Sequence, residues 1–437
     1  MEAALLGPLE HIIVGDTQMT DLDVNPNGVP AAAPTRFPVD LTRRMVDRIR
    51  SDSLDTAPHA MSEPSSAFTD PVRFERERDV LFRRGSHVVG WAGELPAPNT
   101  YVTKEVAGVP VLITRDADGE LRAFLNACTH RGAQVADGCG AARRFTCPYH
   151  AWVYDGTGGL VGQPEAWAFA EIDRATLGLI SLPLANIHGL LVVGLSDGVD
   201  PAADFADIAD ELSGYSYDTH EVICTQKFAL RANWKITVDV NLEAYHVAFL
   251  HRESLAGFVM NHAVHDTFGR HARWAFPTFA AKTIVDQPES DWPEPAPLTL
   301  VHMFFPSCVI LETPVSSQML RIYPGQRVGE STVELTEASI RPATSDEERA
   351  ARKGGASVAA KILGGEDFPV AEQCQRGAES GLSRFVFGTI EPMLQHWHTA
   401  WREALDVQGE ALDVQSDALD VQTDALDVQT EALDVQR

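Results

Sequence analysis

Two short segments of the sequence each offer one cysteine and one histidine. Cys128 and His130 stand in the first segment, and Cys147 and His150 follow after sixteen intervening residues. Two thiolates can hold one iron and two imidazoles the other, as a Rieske [2Fe–2S] centre requires. Structural zinc also accepts two Cys and two His and is the alternative, although zinc fingers usually pair Cys with Cys and His with His. The spacing therefore favours an iron–sulfur electron relay.

A second group of metal-binding residue types follows about a hundred residues later, where Glu243 precedes His246 and His251. On an ideal helix the two histidines would point roughly 140° apart, at about 100° per residue. One metal can bind both only if the helix ends or bulges between them, and such bulges favour functional sites. By itself, this spacing is more typical of core or surface histidines than of a metal site.

The charge of the chain limits its partners. The 437 residues carry a formal charge of −27, and five acidic heptads at 403–437 supply −9 of it. Nucleic acids and anionic membranes attract Lys/Arg clusters, so neither is an expected partner. The sequence contains no apolar run of the roughly 20 residues that a bilayer needs, and no basic segment typical of a signal peptide. Six cysteines do not form a disulfide framework at this length, so we expect a cytoplasmic protein.

Two kinds of element must position these residues. Short strand-like runs with Gly-rich turns occupy about 74–195 and predict a small all-β domain. After Pro201, strands followed by grouped helices predict an α+β domain, with a helix over Leu242–Leu250. The chain is thus divided into an N-terminal extension of low structural content (1–65), a cluster domain (66–200), a catalytic domain (201–402) and an acidic heptad tail (403–437).

Three stretches of the sequence carry a family resemblance: Leu121–Asn126, Cys128–Thr–His–Arg–Gly132 and Cys147–Pro–Tyr–His–Ala–Trp152. Together with the pattern Glu243-x-Tyr-His-x4-His251, they resemble the large (α) subunit of Rieske non-haem iron oxygenases. That family includes aromatic-ring-hydroxylating dioxygenases and demethylating monooxygenases. Ala151 departs from the family pattern, which usually has Gly there, and we expect only a local backbone adjustment.

The resemblance implies a role for each candidate site residue. Cys128, His130, Cys147 and His150 would bind the Rieske cluster. His246 and His251 would bind one mononuclear Fe(II) together with Asp367, as two His and one carboxylate do in O₂-activating iron sites. Glu366 is the second choice for that carboxylate. Glu243 would be a bridging carboxylate that links the mononuclear site to a Rieske histidine of a neighbouring subunit.

The resemblance also implies a fold, a reaction and partners. The expected architecture is an all-β Rieske domain joined to a helix-grip catalytic domain, in which helices pack on an antiparallel sheet. The expected reaction inserts oxygen from O₂ into an aromatic or other small organic substrate. Electrons would come from NAD(P)H through a separate flavin reductase or ferredoxin, since the chain has no NAD or flavin motif. A homotrimer, with or without a small β subunit, is expected. Ring hydroxylation is favoured; N- or O-demethylation is the alternative, and a Rieske electron carrier is the alternative of another class.

Overall fold

The computed structural model of the chain describes residues 37–405, apart from the side chains of 354–357. The first part of the predicted N-terminal extension and the tail from residue 406 onward lie outside the described residues. Within the described range, no helix combines the length and the apolar character that crossing a bilayer would require.

The described residues form helices and strands throughout. The α-helices are α1 (Val39–Arg50), α2 (Ser66–Thr69), α3 (Pro71–Glu77), α4 (Pro201–Asp204), α5 (Ala206–Leu212), α6 (Trp234–Asp239), α7 (Asp346–Ile362), α8 (Phe368–Glu379) and α9 (Pro392–Ala404). The strands are β1 (Met61–Pro64), β2 (Ser86–Trp91), β3 (Thr100–Val106), β4 (Val109–Arg115), β5 (Leu121–Leu125), β6 (Cys139–Ala141), β7 (Arg144–Thr146), β8 (Val153–Asp155), β9 (Leu160–Gly162), β10 (Ser181–Leu182), β11 (Leu184–Ile187), β12 (Leu190–Gly194), β13 (Glu221–Leu230), β14 (Val264–Phe268), β15 (His271–Pro277), β16 (Leu298–Phe304), β17 (Cys308–Glu312), β18 (Ser316–Pro324), β19 (Ser331–Ser339) and β20 (Arg384–Phe387).

Strands β2 to β12 form three small antiparallel sheets, with the orders β10-β5-β4-β3-β6, β11-β12-β2 and β7-β8-β9. The predicted all-β character of this part is confirmed. Among the strand-like runs, Phe145–Tyr154 predicts a single strand, but the structure has two strands, β7 and β8, with a tight turn between them. The turn is needed because Cys147 and His150 must leave the sheet to face the other Cys–His segment.

The second part of the fold is built on a seven-stranded antiparallel sheet with the order β13-β19-β18-β17-β16-β15-β14. Its two faces carry separate cores, since successive side chains of a strand point to opposite faces. Val301, Leu320 and Leu335 belong to the core that also contains residues of α6, α8 and α9. Leu300 and Met319 belong to the core on the opposite face. The predicted α+β fold, with helices on an antiparallel sheet, is confirmed.

Part of the predicted N-terminal extension is regular structure. Helix α1 buries Leu41, Met45 and neighbouring side chains, as the apolar spacing of that stretch indicates. Strand β1 pairs with β20 near the other end of the chain. Glu63 of β1 accepts a hydrogen bond from Arg402 Nε at 2.8 Å. At the other boundary, Leu405 is buried, so the body of the fold includes the first residues of the repeat region.

One buried ion pair at the centre of the fold leads to a stability prediction. Lys235 Nζ lies 2.6 Å from both carboxylate oxygens of Glu77, and both side chains are fully buried. Trp234 Nε1 donates a further hydrogen bond of 2.8 Å to Glu77. Removing one partner of a buried pair leaves an uncompensated charge, which typically costs about 3–5 kcal/mol.

Lys235→Met should therefore lower the free energy of unfolding by about 3 kcal/mol or more, measured by urea denaturation. The double variant Lys235→Met with Glu77→Gln should recover most of that loss, because no buried charge then remains unpaired. Lys227→Met is the matched control, since Lys227 is largely exposed. A double variant as unstable as the single one would contradict this account.

Candidate iron sites

The two Cys–His segments lie side by side in the small sheets. Cys128 and Cys147 are buried, and the rings of His130 and His150 are 4.6 Å apart between centroids. The Nδ1 atoms of both histidines are buried and have no hydrogen-bond partner among the described residues. Buried polar atoms are rarely left unpaired in native proteins. The four side chains thus present two thiols and two free ring nitrogens in one place, as a [2Fe–2S] cluster with Cys₂His₂ ligation requires.

Aromatic residues pack against the residues of this site. The ring of Trp152 stacks on His130 at 4.9 Å and 10°. The hydroxyl of Tyr154 lies 3.2 Å from Cys128 Sγ and accepts a hydrogen bond from the amide of Thr129. Burial and the neighbouring Cys128 raise the pKa of Tyr154 to about 12, so the phenol keeps its proton. Tyr154 can therefore donate to the sulfur, and hydrogen bonds to cluster sulfurs adjust the reduction potential.

Each ligand loop is closed by a residue in the left-handed region. The amide of Gly132 donates to the carbonyl of Cys128 at 2.8 Å, and the amide of Ala151 donates to that of Cys147 at 3.0 Å. Their φ angles are +79° and +55°. Glycine adopts this conformation freely, whereas a β carbon adds about 1–2 kcal/mol. The Ala at 151 therefore retains a turn that glycine would form with less strain.

The segment with the two other histidines is not the helix that the sequence predicted. Helix α6 ends at Asp239, and 240–258 forms a series of turns; the predicted helix over Leu242–Leu250 is therefore wrong. A continuous helix would have directed His246 and His251 away from each other. In the turns their rings lie 4.9 Å apart, so the break in the helix is what brings them together.

The carboxylate facing them comes from a π-helical turn at Leu363–Asp367, inserted between α7 and α8. Single π turns inside helices occur frequently at functional sites. The wider turn places Asp367 inward, where it is 3% exposed. Gly364 and Gly365 precede Asp367 in this turn, and a β carbon added at Gly365 would have no neighbouring atom within 4 Å outside its own helix.

Three ligand atoms converge at this point. Asp367 Oδ1 lies 3.0 Å from His251 Nε2 and 3.6 Å from His246 Nε2, and the three residues offer donor atoms within 4.8 Å of one another. Asp367 Oδ2 is buried without a hydrogen-bond partner among the described residues. Burial lowers the pKa of His251, but hydrogen bonds to Asp367 and Glu366 outweigh it, and the net shift is upward. The carboxylates thus favour a positive charge here, which a divalent cation would supply.

Two further carboxylates orient the histidines. His246 Nδ1 contacts Glu243 Oε1, and His251 Nδ1 lies 2.7 Å from Glu366 Oε2, which also accepts from Ser254 Oγ at 2.9 Å. Metal-binding histidines usually donate their second ring N–H to a carboxylate, which fixes the tautomer and the ring orientation. Glu366, the second choice for the iron-binding carboxylate, contacts His251 Nδ1 and does not belong to the three residues that converge. An acidic residue directly before Asp367 is the signal that the sequence offers for this contact.

A cavity of about 440 Å³ opens onto the three converging residues. Its wall is mostly apolar and comes from one face of the seven-stranded sheet, from the turns at 240–261 and from α7. A volume of this size suits a small organic molecule, and pockets of this kind place a few polar groups on an apolar wall. The lining residues include Val247, Leu255, Met260, Trp274, Phe276, Val301, Leu311, Gln318, Leu320 and Ile362.

Two family models match the chain, and together they cover about two thirds of it. The model of the Rieske [2Fe-2S] domain matches residues 85–173. The model of the ring hydroxylating alpha subunit (catalytic domain) matches residues 209–407. The chain belongs to the Rieske non-haem iron oxygenases, as a large (α) subunit. A [2Fe–2S] cluster and one mononuclear iron are the cofactors of this oxygenase family, and both groups of residues fit them.

The chain has similar curated relatives. It is 32% identical to the chloroplastic choline monooxygenase of Beta vulgaris over 200 residues, which is 44% of this chain and 45% of that protein. It is 33% identical to the carnitine monooxygenase oxygenase subunit of Escherichia coli (strain K12) over 202 residues, covering 44% and 52%. The matched stretch spans about half the length of these relatives.

Solved structures share the fold of this α subunit. The quaternary ammonium Rieske monooxygenase CntA with L-carnitine superposes with a TM-score of 0.66 at 19% identity, over 84% of this chain and 99% of that one. Naphthalene 1,2-dioxygenase with indole gives 0.65 at 18% identity, over 79% and 92%. Since both identities are low, these similarities concern the fold alone.

Proposed function

We propose that the chain is the oxygenase component of a multicomponent system that inserts oxygen from O₂ into a small organic substrate. The observation that carries this proposal is the convergence of His246, His251 and Asp367 at the wall of an apolar cavity. A protein that only carried electrons on a Rieske cluster would need neither the three converging residues nor the cavity. The cluster and the mononuclear iron, when bound, would supply single electrons and O₂ activation, respectively.

The proposed cluster ligands are Cys128 and Cys147 on one iron and His130 and His150 on the other. The free Nδ1 atoms of the two histidines support this assignment. For the mononuclear iron, we propose His246 and His251 through Nε2 and Asp367 through a carboxylate oxygen. The outward-turned Nδ1 atoms, held by carboxylates, support Nε2 as the ligand atom.

Glu243 is proposed as the bridging carboxylate towards a neighbouring subunit. It holds His246 Nδ1 and also accepts hydrogen bonds from the amides of Tyr245 and His246. These contacts hold the Glu243 carboxylate on the Nδ1 side of the His246 ring, whereas Asp367 lies on the Nε2 side. From there Glu243 would accept a hydrogen bond from a Rieske histidine of the next subunit and keep the cluster and the mononuclear iron at a short distance.

A homotrimer would bring those residues together. Tyr149 and Trp167 beside the cluster loops are exposed, as are Tyr245 and Phe249 beside Glu243. Exposed aromatic side chains are typical of protein–protein contact surfaces. Electrons would reach the cluster from NAD(P)H through a separate reductase or ferredoxin, and a small β subunit is compatible with this arrangement. We place the system in the cytoplasm, where the cluster thiols stay reduced.

The reaction favoured by the sequence is ring hydroxylation, and the apolar wall with Trp274 and Phe276 would accommodate an aromatic ring. The second candidate is monooxygenation at a methylated nitrogen or oxygen. It is supported by the relatives that are named choline monooxygenase and carnitine monooxygenase. Both reactions need the same ligands and differ only in what the cavity holds.

Two measurements test the proposal. Purified protein should contain about three Fe per two acid-labile sulfides, whereas an electron carrier would contain about two. O₂ uptake with a reductase should then be screened against aromatic acids, hydrocarbons and methylated amines. Two Fe per two sulfides in a protein with an intact Rieske spectrum would overturn the oxygenase proposal.

The exposed basic pair Arg143–Arg144 lies between the cluster loops and gives a prediction on electron delivery. Complementary charge steers the encounter of protein partners. Arg143→Glu with Arg144→Glu should slow reduction of the cluster by an acidic ferredoxin or reductase by about tenfold at low salt, and by less as salt increases. Stopped-flow reduction measures this rate, with exposed Arg76→Glu as the matched control. Equal rates of cluster reduction in both variants would mean that Arg143 and Arg144 are ordinary solvated charges and do not bind the electron donor.

A further inference from the structure

The sheet wall of the cavity contains one continuous row of side chains. Trp274 of β15 pairs with Val301 of β16, Val301 with Leu311 of β17, and Leu311 with Gln318 of β18. Residues that pair directly across antiparallel strands share one face, and all four line the cavity. At about 4.8 Å per strand, the row extends roughly 14 Å from the indole to the amide.

The row continues one strand further, to a carboxyl group. Gln318 pairs with Glu337 of β19, so both side chains stand on the cavity face, with β carbons about 5 Å apart. Glu337 is 6% exposed, and its Oε1 has no hydrogen-bond partner among the described residues. Burial raises the pKa of Glu337 to about 7. A buried carboxyl without a partner is costly, so this one is poised to gain from a donor or a cation.

The charges around the cavity point to the sign of that partner. The residues that line it include Glu243 and Asp367 and no lysine or arginine. On the far side of Glu337, Cys224 of β13 pairs with it, and the charge of Lys353 acts on Cys224. Glu243 and Asp367 belong to the proposed iron site, where the metal would offset their charge. Away from that site the lining residues offer no cationic side chain to an anionic group, whereas Glu337, which adjoins the lining residue Gln318, offers a carboxyl to a cationic one.

We propose that Gln318 and Glu337 form a subsite that binds a protonated amine of the substrate, while its apolar or aromatic body lies along Leu311, Val301 and Trp274. An ammonium N–H donates to the Glu337 carboxylate and to the Gln318 amide oxygen. The carboxyl gives up its proton to solvent when the cation arrives, so the pair forms without net charge. The assignment rests on the oxygenase proposal, because the bound amine is a substrate only if the chain is an oxygenase. Binding of the amine can be measured without turnover.

The test compares three ligands of equal framework on the iron-loaded protein. The probes are 4-phenylbutylamine, its uncharged isostere pentylbenzene, and (4-phenylbutyl)trimethylammonium, which is cationic but has no N–H. Isothermal titration calorimetry should show that the amine binds most tightly. Because a hydrogen bond to a charged group contributes about 1.5–3 kcal/mol, Glu337→Gln should weaken amine binding by about tenfold or more. Binding of pentylbenzene should be unchanged.

Two further variants complete the design. Gln318→Leu should weaken amine binding and leave pentylbenzene unaffected, while the surface change Glu330→Gln, just before β19, should alter neither. The subsite is overturned if the wild-type protein binds the amine no better than pentylbenzene, or if Glu337→Gln weakens both equally. Tighter binding of the trimethylammonium probe would overturn the N–H contact. Failure of O₂ uptake with every substrate would count against the oxygenase proposal and not against the subsite, which is read from binding alone.

Discussion

Replacing His251 by alanine should remove the mononuclear iron and leave the Rieske cluster in place. The change deletes the ring that faces Asp367 and leaves Glu366 without its histidine. Loss of an outer partner of a metal ligand alone costs about 10–100-fold in metal affinity or activity. Loss of the ligand itself should therefore reduce substrate-dependent O₂ uptake by more than about 100-fold. Iron content should decrease from about three to about two Fe per two sulfides.

The same measurement separates Asp367 from Glu366. Asp367→Asn should behave like His251→Ala, whereas Glu366→Gln should retain iron and lose about 10–100-fold in activity, as expected of an outer partner. His262→Ala is the matched control, because His262 lies outside the converging group and pairs with exposed Asp52. If Glu366→Gln lost its iron and Asp367→Asn kept it, the carboxylate ligand would have to be reassigned to Glu366.

Glu243→Gln should uncouple the Rieske cluster from the mononuclear iron while both centres remain bound. The amide keeps the size of the side chain and can accept a hydrogen bond from His246 Nδ1, but it carries no charge to attract a donor from the neighbouring subunit. We expect unchanged iron and sulfide content, unchanged reduction of the cluster by dithionite, and turnover lower by about 100-fold or more. Reoxidation of the reduced cluster in the presence of substrate and O₂ should slow by the same factor.

A second glutamate in the same segment provides the control. Glu253 is exposed and follows His251 by two residues, so Glu253→Gln should leave turnover and reoxidation unchanged. Loss of iron in Glu243→Gln would mean that Glu243 acts on His246 alone. Normal turnover would exclude it from the electron path.

The sequence alone was sufficient for the cluster segments and for many of the strands, although β14, β15 and β18 of the seven-stranded sheet were not predicted. Two Cys–His pairs on tight turns are a local pattern, which can be recognised without knowing which distant segments pack together. The α+β division followed from strand and helix periodicity, because alternation and 3.6-residue spacing are themselves consequences of burial. The runs His87–Trp91 and Phe205–Leu212, for example, predict a strand and a helix, and β2 and α5 begin within one residue of them.

The catalytic segment was harder to predict. The apolar spacing over Leu242–Leu250 favours a helix, but the structure has turns there, because two histidines five residues apart reach one point only off a helix. The π turn before α8 could not be predicted either, since an inserted residue in a helix leaves no periodic signal. Glu337 was overlooked because a glutamate in a strand usually faces solvent, and only strand register shows that this one shares a face of the sheet with Gln318, which lines the cavity.

The pairing of β1 with β20 has a consequence for biosynthesis. A ribosome must release Arg384–Phe387 before Met61–Pro64 can find its partner, and Arg402 must follow before it reaches Glu63. The strands β2 to β12 lie wholly between these points in the sequence and pair only with one another, so all of their partners are available before β13 is synthesised. The Rieske sheets can therefore close and receive their cluster while the seven-stranded sheet is still being synthesised. The three converging residues of the mononuclear site are complete only after Asp367 has been synthesised, which follows every strand of the seven-stranded sheet.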